Sequence, residues 1–196
     1  NKFEIGKGIL PNMPKVGISM QIPKEFDAMT WFGRGPHENY LDRKSSAKVD
    51  IYSGKVSDQI HPYIRPQESG NKTDVRWATF RNVDGDGLLV RGLLSLNASH
   101  YLQKDYDHGF GEMKSGATGN IKTTKQQRHS IDMVERELIN LDIDLVQMGL
   151  GGEDSWWAQP LEKYQIKPKN YDYSFTLMPI KSDENPVELN KNAFLR

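Results

Sequence analysis

Val16, Ile18, Met20 and Ile22 alternate with Gly17, Ser19 and Gln21, a period of two that predicts a strand with one buried face, closed by Pro23. A second strand is expected over residues 26–32, ended by the breaker Gly33-Arg34-Gly35-Pro36, and a short third over 49–52. Two apolar runs, 76–83 and 88–96, flank Asp84-Gly85-Asp86-Gly87, the arrangement of a β-hairpin. Ile139, Leu141, Ile143 and Leu145 alternate with Asn140, Asp142 and Asp144, so a strongly patterned strand leads straight into the glycine-rich stretch QMGLGGEDSWWAQP at 147–160. Aromatic and β-branched residues over 171–178 suit a last strand. Residues 124–128 fit a short turn of helix, but no segment sustains a 3.6-residue period. Many short strands separated by Gly, Pro and Asp turns predict an all-β fold, a sandwich or a barrel.

Two tracts fall outside this pattern. Residues 104–125, rich in Gly, Lys, Thr and Asp, read as a long exposed loop. Residues 181–196 form a polar tail, expected to be loosely packed or to wrap a neighbour. The domain proper is therefore placed at 1–180.

Composition narrows the function. At 196 residues one domain is the default, and although only 36 % of residues are hydrophobic, 10 % are aromatic, so rings supply part of the core. Lys plus Arg and Asp plus Glu balance at 26 each, which leaves no net field to draw nucleic acid or an anionic membrane surface; neither is an expected partner. Cysteine is absent, which removes disulfide scaffolds, thiolate metal sites and thiol nucleophiles. No apolar run approaches the roughly 18 residues of a membrane span, and no signal-peptide pattern opens the chain. Because the first residue is Asn1, the natural start is expected upstream, and localisation is unknown.

Candidate chemistry is sparse. Asp84-Gly85-Asp86-Gly87 resembles the opening of a calcium loop but lacks its closing Glu, and a tight turn accounts for the same residues. The five histidines form no HxH or HxxxH pair, so no metal site is assigned. Gly149 to Gly152 lack the spacing of a phosphate-cradling loop. Glu153 and Asp154, and likewise Glu38 and Asp42 in GRGPHENYLDR, offer carboxylates, but neighbouring residues do not flank a glycosidic bond at the separation hydrolysis needs. Structural use fits them better: Asp154 and Ser155 can accept bonds from nearby backbone and brace the loop that carries Trp156 and Trp157. Flat indoles cover the apolar face of a sugar ring, so this pair suggests a carbohydrate platform; a core lid is the equal alternative on the residues alone. Trp31 and Trp77 lie within strand-like runs and are expected in the core.

Three stretches, WFGRGPHENYLDRK at 31–44, HPYIRPQESGNKTDVRW at 61–77 and QMGLGGEDSWW at 147–157, closely resemble the C-terminal domain of the β-galactosidases of glycoside hydrolase family 2, and the likeness runs from Leu10 to Met178. The resemblance implies a large antiparallel β-sandwich of galactose mutarotase-like architecture, the last domain of a much longer chain or a separate small subunit. It assigns Trp156 to the family's tryptophan against sugar and aglycone, with Glu153 replacing an Asp and Trp157 standing where a small residue is common. It assigns residues 35–43 to a mobile segment beside the active site. His37 and Leu41 depart from that segment's pattern, Leu41 in place of a proline loosens its backbone, and Gly35 becomes its hinge. Gly35, Glu38, Asn39, Asp42, Arg43, Glu153, Asp154, Ser155 and Trp157 are the candidate supporting and loop residues around Trp156. No catalytic residue falls in this chain: the family's two carboxylates, and its magnesium and sodium ligands, belong to a (β/α)₈ barrel that no segment here resembles. The resemblance thus implies a piece of a retaining β-galactosidase, inactive alone and lacking the first strands of its sandwich. Its expected partners are a β-galactoside such as lactose, the catalytic barrel and the parent's other domains, with a homo-oligomeric parent in the cytoplasm or periplasm. A stand-alone carbohydrate-binding module and a purely structural buttress are the rival classes.

Overall fold

The computed structural model describes residues 1–64, 66–106, 130–152 and 158–191. Its strands are β1 (Lys2–Phe3), β2 (Lys15–Pro23), β3 (Ala28–Gly35), β4 (Lys48–Lys55), β5 (Lys72–Arg81), β6 (Gly87–Ser99), β7 (Leu138–Gln147), β8 (Tyr171–Asp172) and β9 (Thr176–Ile180), with two short helices, α1 (Gln103–Tyr106) and α2 (Pro186–Lys191). Every pairing among them is antiparallel. One seven-stranded sheet runs β2-β7-β6-β5-β3-β4, with β9 also paired to β6, and β1 and β8 form a separate two-stranded sheet. The all-β antiparallel fold expected from the alternation is therefore present, and no helix of the described residues is long and apolar enough to cross a membrane.

Six strands, β2 to β7, fall where the pattern put them, with shifted ends: β3 begins at Ala28 and runs on through the expected breaker to Gly35, and β5 starts early at Lys72 and ends at Arg81. The expected hairpin is β5–β6, in which Asn82 N–H donates to Asp86 C=O at 2.9 Å and Gly85 adopts φ 84°. The Asp86 carboxylate there receives Lys181 Nζ and the Ser182 N–H, each at 3.0 Å, so its partners are the chain beyond β9. That segment is not loosely packed up to residue 191. Arg81 donates to the carbonyls of Lys181 and Glu184, Asn190 is buried, and Leu189 packs beside Trp77 and Ile180. The single strand expected over 171–178 is two: β8 joins β1 and β9 joins β6. Between them Tyr173 turns inward, stacks on Phe3 and donates from its hydroxyl to the Ile143 carbonyl at 2.7 Å, which breaks the extended run. Residues 104–106 of the expected loop belong to α1, whereas the rest of 104–125 and the helical turn at 124–128 lie outside the described residues.

One face of the large sheet carries the main core, which includes Trp31, Phe80, Val90, Leu96, Ile139, Leu141 and Ile143. On the opposite face Trp77, Leu89 and Ile180 form a smaller apolar cluster near β9. Both Trp31 and Trp77 are buried, as their place in strands implied. Along β6 that second face turns polar, from Leu89 to Ser95, Asn97 and Ser99, yet it stays covered: Asn97, Asp142 and Asp144 are all buried. β7 is therefore buried on both sides, apolar on one and acidic on the other, and it delivers the chain to Gly149.

Candidate functional site

Residues 35–43 leave the end of β3 and cross the sheet as a wall held by side-chain bonds. Gly35 is the last residue of β3, buried and without positive φ; a Cβ there would lie 2.7 Å from the Tyr52 ring and 3.0 Å from Trp31, so ring packing alone explains the glycine. Asn39 is fully buried. Its Oδ1 accepts from Thr73 N–H at 2.8 Å and Thr73 Oγ1 at 2.5 Å, its Nδ2 donates to the His37 carbonyl at 3.0 Å, and its own backbone exchanges bonds with Asn71. A buried amide with both ends paired is a rigid staple, here between the wall and the start of β5.

Glu38 faces the neighbouring 61–71 segment. Its carboxylate accepts from Tyr40 Oη at 2.9 Å, from Gly70 N–H at 2.8 Å and from Tyr63 Oη. Burial pushes this carboxyl upward, but the three donated bonds outweigh it and hold the group below the ordinary value, so Glu38 is ionised at neutral pH. Tyr63 is correspondingly pushed up to about 12 by burial and by the bond to Glu38. Lys72, buried beneath, donates to the Gly70 carbonyl at 2.7 Å and lies 5.2 Å from the Trp31 ring centre. Burial lowers its ammonium to about 8 against the opposing pull of Glu38.

At its far end the wall grips the glycine-rich stretch. Asp42 Oδ2 accepts from Gly151 N–H at 2.8 Å, and Arg43 Nη2 donates to Gly151 C=O at 2.7 Å, so both backbone polar groups of one residue are held, by a carboxylate and a guanidinium. Charge-assisted bonds of this kind are the stronger class. Gly151 and Gly152 take φ 65° and 83°, a left-handed conformation costly for any other residue, and a Cβ at Gly149 would strike the Asp42 carboxyl at 2.8 Å. Gly152 N–H donates to Ala158 C=O at 3.2 Å. Glu153, Asp154, Ser155, Trp156 and Trp157 lie outside the described residues; among the described ones the structure brings Asp42 and Arg43 of the wall against Gly149 and Gly151, and Gly152 against Ala158. Beside the clamp, Leu41, Lys44, Asp74, Leu145 and Gln147 line a cleft of about 180 Å³.

The sequence reading named both halves of this site but not their supports. Tyr63, Gly70, Asn71, Lys72 and Thr73 hold the wall, and all belong to the stretch 61–77 that the resemblance quoted without assigning roles. Their signal was a run of polar residues, Ser69 to Thr73, directly before an apolar strand; all five are buried. Among the described residues no group of three or more His, Cys, Asp or Glu is arranged to hold a metal ion. His100, for instance, lies between the Leu138 carbonyl and Asp27.

Comparison with known proteins shows the family. The family model described as β-galactosidase small chain matches residues 2–177. A β-galactosidase of Priestia megaterium is 38 % identical over 177 residues, covering 87 % of this chain and 15 % of its own length. A β-galactosidase of Pseudoalteromonas haloplanktis is 35 % identical over 169 residues, covering 86 % of this chain and 14 % of its own length. One of Vibrio cholerae is 32 % identical over 168 residues with the same coverage. This chain thus spans about a seventh of the length of the curated relatives it matches, and it belongs to the β-galactosidase small-chain family.

Proposed function

We propose that this chain completes the active site of a retaining β-galactosidase that cleaves terminal β-D-galactosides such as lactose. Trp156 stacks on the sugar or aglycone, and the 35–43 wall borders the pocket and sets the position of the tryptophan loop. The reading is supported by the clamp of Asp42 and Arg43 on Gly151, which ties the two segments that the family resemblance places beside substrate into one unit. A flat aromatic ring held on a braced loop offers large contact area at low entropic cost, as a sugar platform requires.

The chemistry itself belongs to the parent's barrel. There one carboxylic acid protonates the glycosidic oxygen while a second carboxylate attacks the anomeric carbon, and water then hydrolyses the galactosyl intermediate. Magnesium and sodium, where the parent uses them, are held by that barrel and not by residues of this chain. This chain contributes binding and water exclusion, which raise the rate only through contacts made to the reacting sugar.

Trp156→Ala in the parent enzyme tests this reading. The inhibition constant of a galactose-type inhibitor, or KM for a galactoside, should rise about tenfold, the loss of roughly one aromatic contact, while the melting temperature stays within a degree or so. A collapsed fold with no folded enzyme to assay would place the ring in the core instead.

A further inference from the structure

Behind the wall, the polar face of β7 carries a cluster in which one ammonium faces three carboxyls. Lys15 Nζ on β2 lies 2.8 Å from Asp142 Oδ2 and 3.0 Å from Glu68 Oε1. Asp144, one step further along the same face of β7, is 2 % exposed, and its Oδ2 has no hydrogen-bond partner. Its Oδ1 packs against the backbone of Gly17, where a Cβ would come within 1.7 Å. From β6 the residues on this face are the uncharged Ser95 and Asn97, and Asn97 Oδ1 is also unpaired. The charged and titratable groups around Asp144 are therefore Lys15, Asp142, Glu68 and Tyr173.

We propose that Asp144 is a proton-linked positioning residue for the 35–43 wall, acting through Lys15 and Glu68. When Asp144 is protonated, Lys15 serves Asp142 and Glu68 alone. When it ionises, a third negative charge enters a poorly solvated site and competes for the same ammonium. Asp142 and Asp144 are fixed in a strand paired on both sides, whereas Glu68 stands on the 61–71 segment outside any strand, so Glu68 is the group that gives way. Two residues on, Gly70 donates its N–H to Glu38, and Gly70 also has φ 89° in a place where a Cβ would lie 2.5 Å from the Gln59 carbonyl oxygen. Movement of Glu68 thus reaches the Glu38 carboxylate, the Tyr40 and Tyr63 hydroxyls and the wall that carries Asp42. Burial, with Asp142 and Glu68 adding to it against Lys15, raises the Asp144 carboxyl to about 7, which puts the change in the neutral range.

The relevance of this to catalysis rests on the proposed place of the wall beside substrate; the switch itself does not. The test uses the parent enzyme and its Asp144→Asn variant, which keeps the shape of the protonated acid. Hydrogen exchange of the 66–71 backbone, corrected for intrinsic base catalysis, is followed from pH 6 to 8.5. In the wild type, protection should fall by up to about tenfold per pH unit above 7, the limit for release of one proton, and in Asp144→Asn it should stay level. KM for a galactoside should rise over the same range in the wild type only. Equal exchange profiles in the two proteins would overturn the switch. A switch seen in exchange with no pH-dependent difference in KM would leave Asp144 coupled to the segment but overturn its role in positioning the site. If Asp144→Asn does not fold, Glu68→Gln serves: it removes a like charge, so the loss of protection should disappear, and its persistence would again contradict the proposal.

Discussion

The two faces of β7 carry opposite burdens. Ile139, Leu141 and Ile143 point into the main core with no measurable exposure, while Asp142 and Asp144 on the other side are almost as deeply covered but meet Lys15, Asn97 and Glu68. Burial of aliphatic side chains stabilises by roughly 1.5–3 kcal/mol each and is indifferent to what lies beyond the domain. Burial of carboxyls costs free energy unless they are paired, so it is retained where the polar groups do something else. Here they connect the strand that leads into the tryptophan loop with the segment that supports the wall. One face holds the domain together, and the other, through Lys15, ties β7 to the segment that carries Glu68.

Breaking the apolar face should have the largest effect. Leu141→Ala leaves a cavity in a closely packed region and should cost about 2–5 kcal/mol of stability, read from denaturant midpoints; a loss below 1 kcal/mol would show that this face does not carry the fold. Breaking the clamp should act on catalysis with little effect on stability. Asp42→Ala frees the Gly151 N–H, and kcat/KM for a galactoside in the parent should fall about tenfold, the equivalent of one charge-assisted bond, with the melting temperature little changed.

The remaining effect sharpens the polar side and depends on pH. Asp144 has a folded value of about 7 against an ordinary 3.8, so between those values the folded chain keeps a proton that the unfolded chain releases. The contribution of this group is fully present below 3.8 and is lost as pH rises through 7. Thermal melts should therefore place Asp144→Asn close to wild type at pH 4 and above it at pH 8, by roughly 2–4 °C for each kcal/mol recovered in a domain of this size. A difference of the opposite sign would contradict the assignment.

Much of the fold was legible because a period of two reports which side chains share a face. The alternation at 16–22 and 139–145, the hairpin at 82–86 and the burial of Trp31 and Trp77 all follow from local pattern. What alternation does not report is whether a polar face is covered. Asp142 and Asp144 read as the outer side of a strand, and only the docking of Glu68 and Lys15 buries them. The run 171–178 divides because Tyr173 finds Phe3 and the Ile143 carbonyl, partners remote in the chain. Likewise Asp42 and Gly151 were each singled out within their own motif, but nothing local announced that they bond to each other.

The central claim is that Asp42 acts on catalysis through the tryptophan loop, and a double-mutant cycle in the parent enzyme tests it most directly. Galactoside kcat/KM is measured for wild type, Asp42→Ala, Trp156→Ala and the double variant. If the clamp works by holding Trp156, the double variant loses no more than Trp156→Ala alone, a strongly non-additive cycle. Losses that multiply, each variant contributing in full, would show that the wall and the tryptophan act independently and would contradict the account.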